Sequence, residues 1–207
     1  MSYFELEWAT KYLGREPRVA FDVGSHNGKD AARFRDAWPS CDVYAFEASR
    51  ALYTRMANNL KLDGIVLVHG AVGDRNGERW FLAPRDVGSG GKCRGAGSLL
   101  KPTERLIKKG FQCEPERVPA VRLDSFCHAY GVAGIDLIHM DLQGAEYEAL
   151  RGLGSMRPAL IFLEMQGGTA NCYEGVKDPE PLLIKMGYDR VKKLPGDQLW
   201  QHKENDE

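Results

Sequence analysis

The chain has 207 residues, of which 43% are apolar and 28% are charged. This composition is typical of a folded globular protein and excludes an intrinsically disordered chain. The 28 basic and 29 acidic residues give a net charge of -1, which argues against a general nucleic-acid-binding protein. No apolar run approaches the roughly 20 residues of a membrane-spanning helix.

The N-terminal stretch and the cysteines bear on the cellular compartment. Residues 1–18 show neither a long apolar run nor a small-residue cleavage site, so we expect no signal peptide. The five cysteines are odd in number and form no CxxC pair, which argues against a disulfide framework or a zinc site. We therefore expect a cytoplasmic protein, without membrane contact, that forms a single domain over residues 1–207.

The first third of the chain alternates apolar runs with helical patterns. Aromatic residues at four-residue spacing predict a helix over residues 3–13. The next elements expected are buried strands at 19–23, 42–46 and 65–68, and helices at 28–38 and 49–61. This rhythm predicts a right-handed parallel α/β sheet.

The middle of the chain follows another pattern. A strand is expected at 78–83, and the glycine-rich stretch 86–98 predicts a mobile loop. Residues 92–122 hold eight Lys or Arg residues against three Glu, which points to a polar acceptor such as an anionic glycan. Extended chain is expected at 118–123 and a helix at 124–130.

The α/β pattern then returns and ends in a hairpin. The elements expected are strands at 135–140 and 159–163, helices at 145–152 and 179–186, and hairpin strands at 188–192 and 198–202. Five parallel strands followed by a hairpin indicate a seven-stranded sheet with one antiparallel strand. The aromatic residues expected in the core are Trp38, Phe46, Trp80 and Phe162.

The loop after the first strand carries the pattern D-x-G-x-x-x-G, from Asp22 through Gly24 to Gly28. Gly24 permits a tight turn, and Gly28 permits the close approach of a ligand or a helix. The spacing differs from G-x-G-x-x-G, which weakens a dinucleotide site, and no G-K-[ST] follows, which excludes a phosphate-binding loop. A plain turn with a helix cap remains the alternative interpretation.

Glu47 ends the second strand, about 20 residues after the glycine loop. A carboxylate there can accept hydrogen bonds from both ribose hydroxyls of a nucleoside, although a structural glutamate is the alternative. A ligand with an adenosine and no pyrophosphate fits such a loop, and S-adenosylmethionine is the common one. Asp22 would complement its amino group.

The chain resembles the FkbM family of S-adenosylmethionine-dependent methyltransferases over roughly residues 18–166. The segments that carry the resemblance are FDVGSHNG at 21–28, YAFEAS at 44–49, HGAVGDRNG at 69–77, VRLDSF at 121–126, IDLIHMDLQGAEYEALRG at 135–152 and LIFLEMQ at 160–166. The family often has Lys where this chain has His139, and Glu where it has Gln143. These two departures leave the acid and base assignment open.

The resemblance implies a class I methyltransferase fold, Rossmann-like, with helices on both faces of a sheet ordered 3-2-1-4-5-7-6. It implies O-methylation of a hydroxyl on a sugar or a small natural product, with a substrate-binding insert over about residues 85–120. The cofactor-binding residues it implies are Asp22, Gly24, Ser25, His26, Gly28, Glu47, Ala48, Ala71, Val72 and Asp141.

Several side chains are candidates for the reacting region. Asp141 ends the fourth strand and is expected to act as base, metal ligand or cofactor contact, or else to cap a turn. His139 precedes it on the same strand face and is either catalytic or a partly buried structural histidine. His26 could approach the methyl group or be an exposed loop residue. Ser98, in the glycine-rich stretch, is expected to close over the cofactor or substrate, or to be a loop tip.

Glu164 ends the fifth strand, next to Asp141 in the expected sheet, and is the third catalytic candidate. Together with Gln143, a candidate for substrate binding, these carboxylates could hold Mg²⁺, which prefers oxygen ligands. Two isolated acids are weak support for a metal, so we do not favour one.

Competing functions are an N-methyltransferase, a nucleic-acid methyltransferase, an inactive methyltransferase-like binding module and, more remotely, a nicotinamide-dependent oxidoreductase. The net charge and the absence of an N/D-P-P-Y/F motif argue against the amine and nucleic-acid substrates. The intact set of loop and strand-end residues argues against loss of activity. The expected partner is therefore a small-molecule or sugar substrate.

Overall fold

The computed structural model describes residues 4–85, 96–165 and 172–205. The helices in this part of the chain are α1 (Leu6–Leu13), α2 (Lys29–Ala37), α3 (Arg50–Ala57), α4 (Glu104–Lys108), α5 (Leu123–Tyr130), α6 (Glu146–Arg151) and α7 (Glu180–Lys185). The strands are β1 (Val19–Val23), β2 (Asp42–Glu47), β3 (Val66–His69), β4 (Ala71–Val72), β5 (Gly77–Pro84), β6 (Cys113–Val121), β7 (Leu137–Met140), β8 (Leu160–Glu164), β9 (Tyr188–Lys193) and β10 (Asp197–His202). None of these helices is long and apolar enough to cross a membrane.

The large sheet has the order β3-β2-β1-β7-β8-β10-β9. Strands β4 to β6 belong to another sheet, so β7 to β10 are the fourth to seventh strands of this one. Counted in that way, the predicted order 3-2-1-4-5-7-6 is confirmed. The first five strands are parallel, and β10 runs antiparallel to both of its neighbours.

Each face of the large sheet is covered by helices, because its strands are apolar on both sides. Alternate residues of a strand point to opposite faces. On one face, the α2 face, the core includes Ala20, Leu137 and Phe162, packed against α1 to α3. On the opposite face, Phe21 and Ile138 pack against α5 to α7.

A second sheet, β4-β6-β5, was not predicted from the sequence. The extended segment expected at 118–123 is the end of β6, and Leu123 already begins α5. The prediction that Trp80 is in the core was wrong, since Trp80 is 61% exposed. Alternation along β5 places Phe81 inside and Trp80 outside, with the Arg117 guanidinium 5.7 Å from its ring.

Two further expectations change at the level of single elements. Helix α3 ends at Ala57 and not at residue 61 as expected. Two asparagines, Asn58 and Asn59, follow Ala57 and favour a turn. Most of the predicted mobile loop, residues 86–95, lies outside the described residues. The end of that stretch is held in place, because Ser98 pairs with Leu82 of β5.

Candidate functional site

A pocket opens at the carboxyl-terminal ends of β1, β2 and β7, where ligands bind in doubly wound sheets. Its volume is about 550 Å³ when the open mouth is included. The sequence-predicted residues that line it are Gly24, His26, Glu47, Ala48, Ala71, Val72 and Asp141. Its apolar wall includes Phe46, Leu52, Phe81, Leu99 and Leu142.

Gly24 brings two loops of the pocket into contact. Its φ of +87° is in the left-handed region, and a Cβ at this position would lie 1.9 Å from the backbone oxygen of Asp141. The backbone N–H groups of Gly24 and Ser25 both donate to the Phe46 carbonyl, at 3.0 and 2.9 Å. Only glycine therefore lets the β1–α2 loop lie against both β2 and the loop after β7.

Gly28 has a different role. It precedes α2 with a φ of +73°, and a Cβ there would come within 2.6 Å of the Leu62 side chain. Gly28 does not line the pocket. Of the two sequence interpretations, close packing of the helix is the one that the geometry matches.

Glu47 is the buried carboxylate of the pocket wall, with 5% of its surface exposed. Its Oε2 accepts a hydrogen bond from the His26 backbone N–H at 2.8 Å, and its Oε1 accepts one from the Ser49 N–H at 2.7 Å. Burial raises the pKa of Glu47 to about 7, against the opposing effect of these hydrogen bonds. Each oxygen retains a lone pair that can accept from a ligand hydroxyl.

His26 joins the loop to Glu47 and borders the pocket. Its φ of +54° is uncommon for a residue other than glycine, and such backbone strain often occurs at functional sites. Burial lowers the pKa of the His26 ring, while the nearby Asp141 carboxylate opposes this shift. The ring is therefore neutral at pH 7 and can accept a proton.

Asp22, Ser25 and His139 form a hydrogen-bonded group beneath the pocket. The Asp22 carboxylate accepts from the Ser25 hydroxyl at 2.5 Å and from the Ala31 N–H at 3.2 Å, and it pairs with Nδ1 of His139 at 2.9 Å. Asp22 is 1% exposed, and none of the three side chains lines the pocket. This arrangement ties the β1–α2 loop to β7 and to the start of α2.

The His139 ring is enclosed by aromatic side chains on the α2 face. It stacks on Phe162 with centroids 5.5 Å apart and an interplanar angle of 6°, and Phe34 meets it edge-on. Burial lowers the pKa of His139, but the hydrogen bond and charge of Asp22 outweigh it and raise the pKa overall. Of its two sequence interpretations, the buried structural histidine matches this geometry.

Gln143 joins the two carboxylates that the sequence predicted to converge. Its amide nitrogen donates to Oδ1 of Asp141 at 2.6 Å and to Oε2 of Glu164 at 2.8 Å. Gln143 has a φ of +53° and is supported by Ser98, whose hydroxyl donates to the Gln143 carbonyl at 3.0 Å. Ser98 is 1% exposed and braces the loop rather than facing the pocket.

Asp141 and Glu164 do not fit a Mg²⁺ site in this arrangement. Mg²⁺ needs oxygen ligands, whereas a hydrogen-bond donor, the Gln143 nitrogen, lies between their oxygens. Across residues 4–85, 96–165 and 172–205, no group of three or more His, Cys, Asp or Glu side chains is placed to hold a metal ion.

Glu146 is a buried acid that supports the site through two backbone contacts. Its buried carboxylate accepts from the N–H groups of Leu142 and Gly144, at 2.8 and 3.3 Å, and so shapes the loop that carries Gln143. Burial raises the pKa of Glu146 to about 7. The spacing of Gly144 and Glu146 was the sequence feature from which this contact could have been predicted. Phe81 and Leu99 gave no such signal, because they reach the pocket through the unpredicted second sheet.

Solved methyltransferase structures resemble this fold. A precorrin-6y C5,15-methyltransferase from Geobacter metallireducens has a TM-score of 0.49 at 10% identity, with 94% of this chain and 84% of that chain covered. A S-adenosylmethionine-dependent methyltransferase from Aquifex aeolicus has a TM-score of 0.47 at 13% identity, with 95% and 88% covered.

Sequence comparison identifies the family. The chain is 31% identical over 166 residues to the 2-O-methyltransferase NoeI of Sinorhizobium fredii. The aligned region covers 79% of this chain and 68% of that protein. The model of the methyltransferase FkbM domain matches residues 22–188. The resemblance drawn from the motifs is thereby confirmed. This chain belongs to the FkbM methyltransferase domain family and is a S-adenosylmethionine-dependent methyltransferase.

Proposed function

We propose that this protein transfers the methyl group of S-adenosylmethionine to a hydroxyl of a sugar or small natural-product acceptor. The proposal is supported mainly by one observation: Glu47, the carboxylate placed to bind a ribose, and Asp141, the carboxylate at the end of β7, line the same pocket. Asp141 in turn contacts Gln143, which reaches Glu164. In this proposal, Glu47 belongs to the donor site, and Asp141, Gln143 and Glu164 belong to an adjoining acceptor site.

The donor fits this pocket by chemistry. The two ribose hydroxyls would donate to the free lone pairs of Glu47. Adenine would lie against the apolar side chains Val72, Phe46 and Leu52, and the methionine end would extend over Gly24 toward Asp141. Asp22, Ser25 and Gly28 act as positioning residues in this proposal, because they hold the loop without lining the pocket.

An oxygen acceptor is supported by the relative, whose name describes a 2-O-methyltransferase. S-adenosylmethionine, when bound, would supply a methyl group that the acceptor oxygen displaces from sulfur, with S-adenosylhomocysteine as the leaving group. Holding the acceptor oxygen, the methyl carbon and the sulfur in line can lower the activation free energy of methyl transfer by roughly 7–11 kcal/mol. The protein mainly supplies this alignment and a group that receives the hydroxyl proton.

We propose that Asp141 or His26 accepts the proton of the acceptor hydroxyl. Both line the pocket, and the lowered pKa of His26 keeps its ring neutral and able to accept a proton. A general base of this kind contributes typically 10²- to 10⁴-fold. His139 supports the site instead, and Glu164 and Gln143 orient Asp141 and contact the acceptor.

The test is methyl transfer from labelled S-adenosylmethionine to panels of neutral, acidic and amino sugars and of phenolic or alcoholic metabolites, each with and without a chelator. We expect labelled O-methyl product in at least one hydroxyl-bearing acceptor, and we expect the chelator to leave the yield unchanged. Label on nitrogen or nucleic acid, or no transfer under conditions where the donor binds, would contradict the proposal.

A further inference from the structure

Asp197 is a buried acid that sequence analysis treated only as part of a hairpin turn. It begins β10 and pairs across the strands with Glu164 of β8. Its face is the α2 face, because Leu199, two residues later, packs in the core of that side. Cross-strand partners have Cβ atoms about 4.5–5.5 Å apart, so the two carboxylates are neighbours.

Asp197 is a buried residue, with 9% of its surface exposed, and no hydrogen bond or ion pair joins its carboxylate to another of the described residues. Burial and the charge of Asp141 raise the pKa of Asp197 to about 6, while His139 opposes this shift. Other buried acids of the site, such as Glu47 and Glu146, each accept two backbone hydrogen bonds. A largely buried carboxylate without such partners would gain free energy from a bound cation.

Four polar side chains form a line that starts at the pocket and continues beyond it, which we call the acidic row: Asp141, Gln143, Glu164 and Asp197. The row crosses β7, β8 and β10, which at about 4.8 Å per strand spacing span roughly 10 Å. This width suits a sugar ring with its substituents. Asp141, at one end of the row, lines the donor pocket.

The basic stretch at 92–122 offers less positive charge than its composition suggests. Lys108 pairs with Glu104, and Arg117 pairs with Glu78, both with exposed side chains. Arg122 pairs with Asp124 within the same turn. Three of the eight basic side chains of this stretch are therefore paired with acids, which weakens the argument for the anionic acceptor expected from composition.

We propose that the acidic row binds an ammonium group, so that the acceptor is a hydroxyl-bearing amine such as an amino sugar. This inference rests on the proposed function for its hydroxyl. The ammonium would donate to Asp197 and Glu164, and a hydroxyl of the same molecule would then face Asp141 and the methyl donor. Charge-assisted hydrogen bonds of this kind are about twice as strong as neutral ones.

The experiment is calorimetric titration at pH 7 of the enzyme saturated with S-adenosylhomocysteine, in the presence of EDTA. The ligands are glucosamine, glucose and glucuronate: relative to glucose, glucosamine carries an ammonium group at C2 and glucuronate a carboxylate at C6. We expect glucosamine to bind roughly tenfold more tightly than glucose, and glucuronate to bind more weakly than both. Equal binding of the three sugars, or a preference for glucuronate, would overturn the inference.

Asp197→Asn is the diagnostic variant, because it removes the charge and leaves the side-chain volume almost unchanged. We expect it to bring the affinity for glucosamine within about threefold of that for glucose, with an unchanged affinity for S-adenosylhomocysteine. Asp189→Asn is the matched control, since Asp189 is an exposed acid on the neighbouring strand β9. A full glucosamine preference in Asp197→Asn would refute the role of Asp197.

The two proposals fail separately. Preferential glucosamine binding without methyl transfer to any hydroxyl would contradict the proposed function and leave the ammonium site supported. Methylation of neutral sugars, with no preference for an amine and no effect of Asp197→Asn, would contradict the ammonium site alone.

Discussion

At Glu47, burial and hydrogen bonding act in opposite directions on one carboxylate. Two backbone N–H donors favour its ionised form, yet burial dominates and raises its pKa to about 7. The site therefore holds a carboxylate that is only partly ionised near neutral pH. A ligand with two hydroxyl donors would stabilise the ionised form.

Replacement of Glu47 by alanine tests the ribose contact. Hydrogen bonds to a charged group contribute roughly 1.5–3 kcal/mol, so we expect Glu47→Ala to weaken S-adenosylmethionine binding by roughly 10- to 100-fold. Isothermal titration measures the change, and Glu114→Ala, at an exposed acid of β6, is the matched control. An unchanged dissociation constant in a folded Glu47→Ala protein would reject the contact.

The raised pKa of Glu47 also predicts how cofactor binding depends on pH. Below its pKa of about 7 the carboxylate carries a proton that must leave before it can accept both ribose hydroxyls. We expect the dissociation constant of S-adenosylhomocysteine to rise by up to about tenfold from pH 8 to pH 6. His26, whose pKa is lowered, and Asp22, whose charge faces Glu47, are the neighbouring groups to consider. Glu47→Gln should flatten the profile, and an equally steep profile in that variant would assign the dependence to another group.

Among single residues, the sequence predicted best those whose role depends on their position in the local backbone, such as the end of a strand or a tight turn. The strand-end position of Glu47 and the need for glycine at Gly24 are local, and both residues line the pocket. His139 was ambiguous, because its role depends on Phe162 and Phe34, which pack around it from other elements. Asp197 drew no attention for the same reason.

Among the elements, the β1–α2 loop and the loop after β7 depend on one contact at Gly24. Gly24→Ala combines a left-handed φ of +87° with a clash against the Asp141 carbonyl. Gly14→Ala is the matched control, because Gly14 has a φ of +67° and nothing within 4 Å of a new Cβ.

We expect Gly14→Ala to cost about 1–2 kcal/mol of unfolding free energy, from backbone strain alone. Gly24→Ala should cost a further ~1–3 kcal/mol, because the two loops must separate, and it should also weaken cofactor binding. Urea denaturation of both variants measures the difference. Equal losses would show that the loops yield at little cost and would contradict the close approach.

The helices and strands of the large sheet were largely predictable, because strand-helix alternation with apolar runs allows few topologies. The small β4-β6-β5 sheet was not. Its strands β5 and β6 are separated by residues 85–112, and their amphipathic pairing depends on contacts far apart in sequence. Trp80 was misplaced because its exposure depends on that pairing.

For the whole molecule, the buried acids predict a pH-dependent stability. Burial raises the pKa of Glu47 and Glu146 to about 7, from an ordinary 4.5, and that of Asp197 to about 6, from 3.8. The folded chain therefore binds more protons than the unfolded chain between about pH 4 and pH 7. Its free energy of unfolding should fall as the pH rises through this interval. The raised pKa of His139 acts in the same direction above pH 6.5.

Thermal unfolding of the ligand-free protein at pH 5 and pH 7.5 measures this effect. A loss of 1 kcal/mol lowers the midpoint by roughly 2–4 °C in a chain of this size, so we expect a drop of several degrees. Glu146→Gln should reduce the drop. A midpoint that rises over the same interval would mean that these carboxyls have ordinary pKa values in the folded state.

The sequence by itself determined the alternation of strands and helices, the glycine loop and the carboxylate after the second strand, because each follows from local periodicity and spacing. The order of the strands came only from the resemblance to the FkbM family. Only the tertiary structure decided which polar side chains meet a ligand and which are enclosed. Asp22 and His139 form a hydrogen bond with each other beneath the pocket, whereas the buried Asp197 has no such partner among the described residues. The physical reason is that burial and pairing depend on side chains from other strands and helices, and the pattern of a single segment does not contain them.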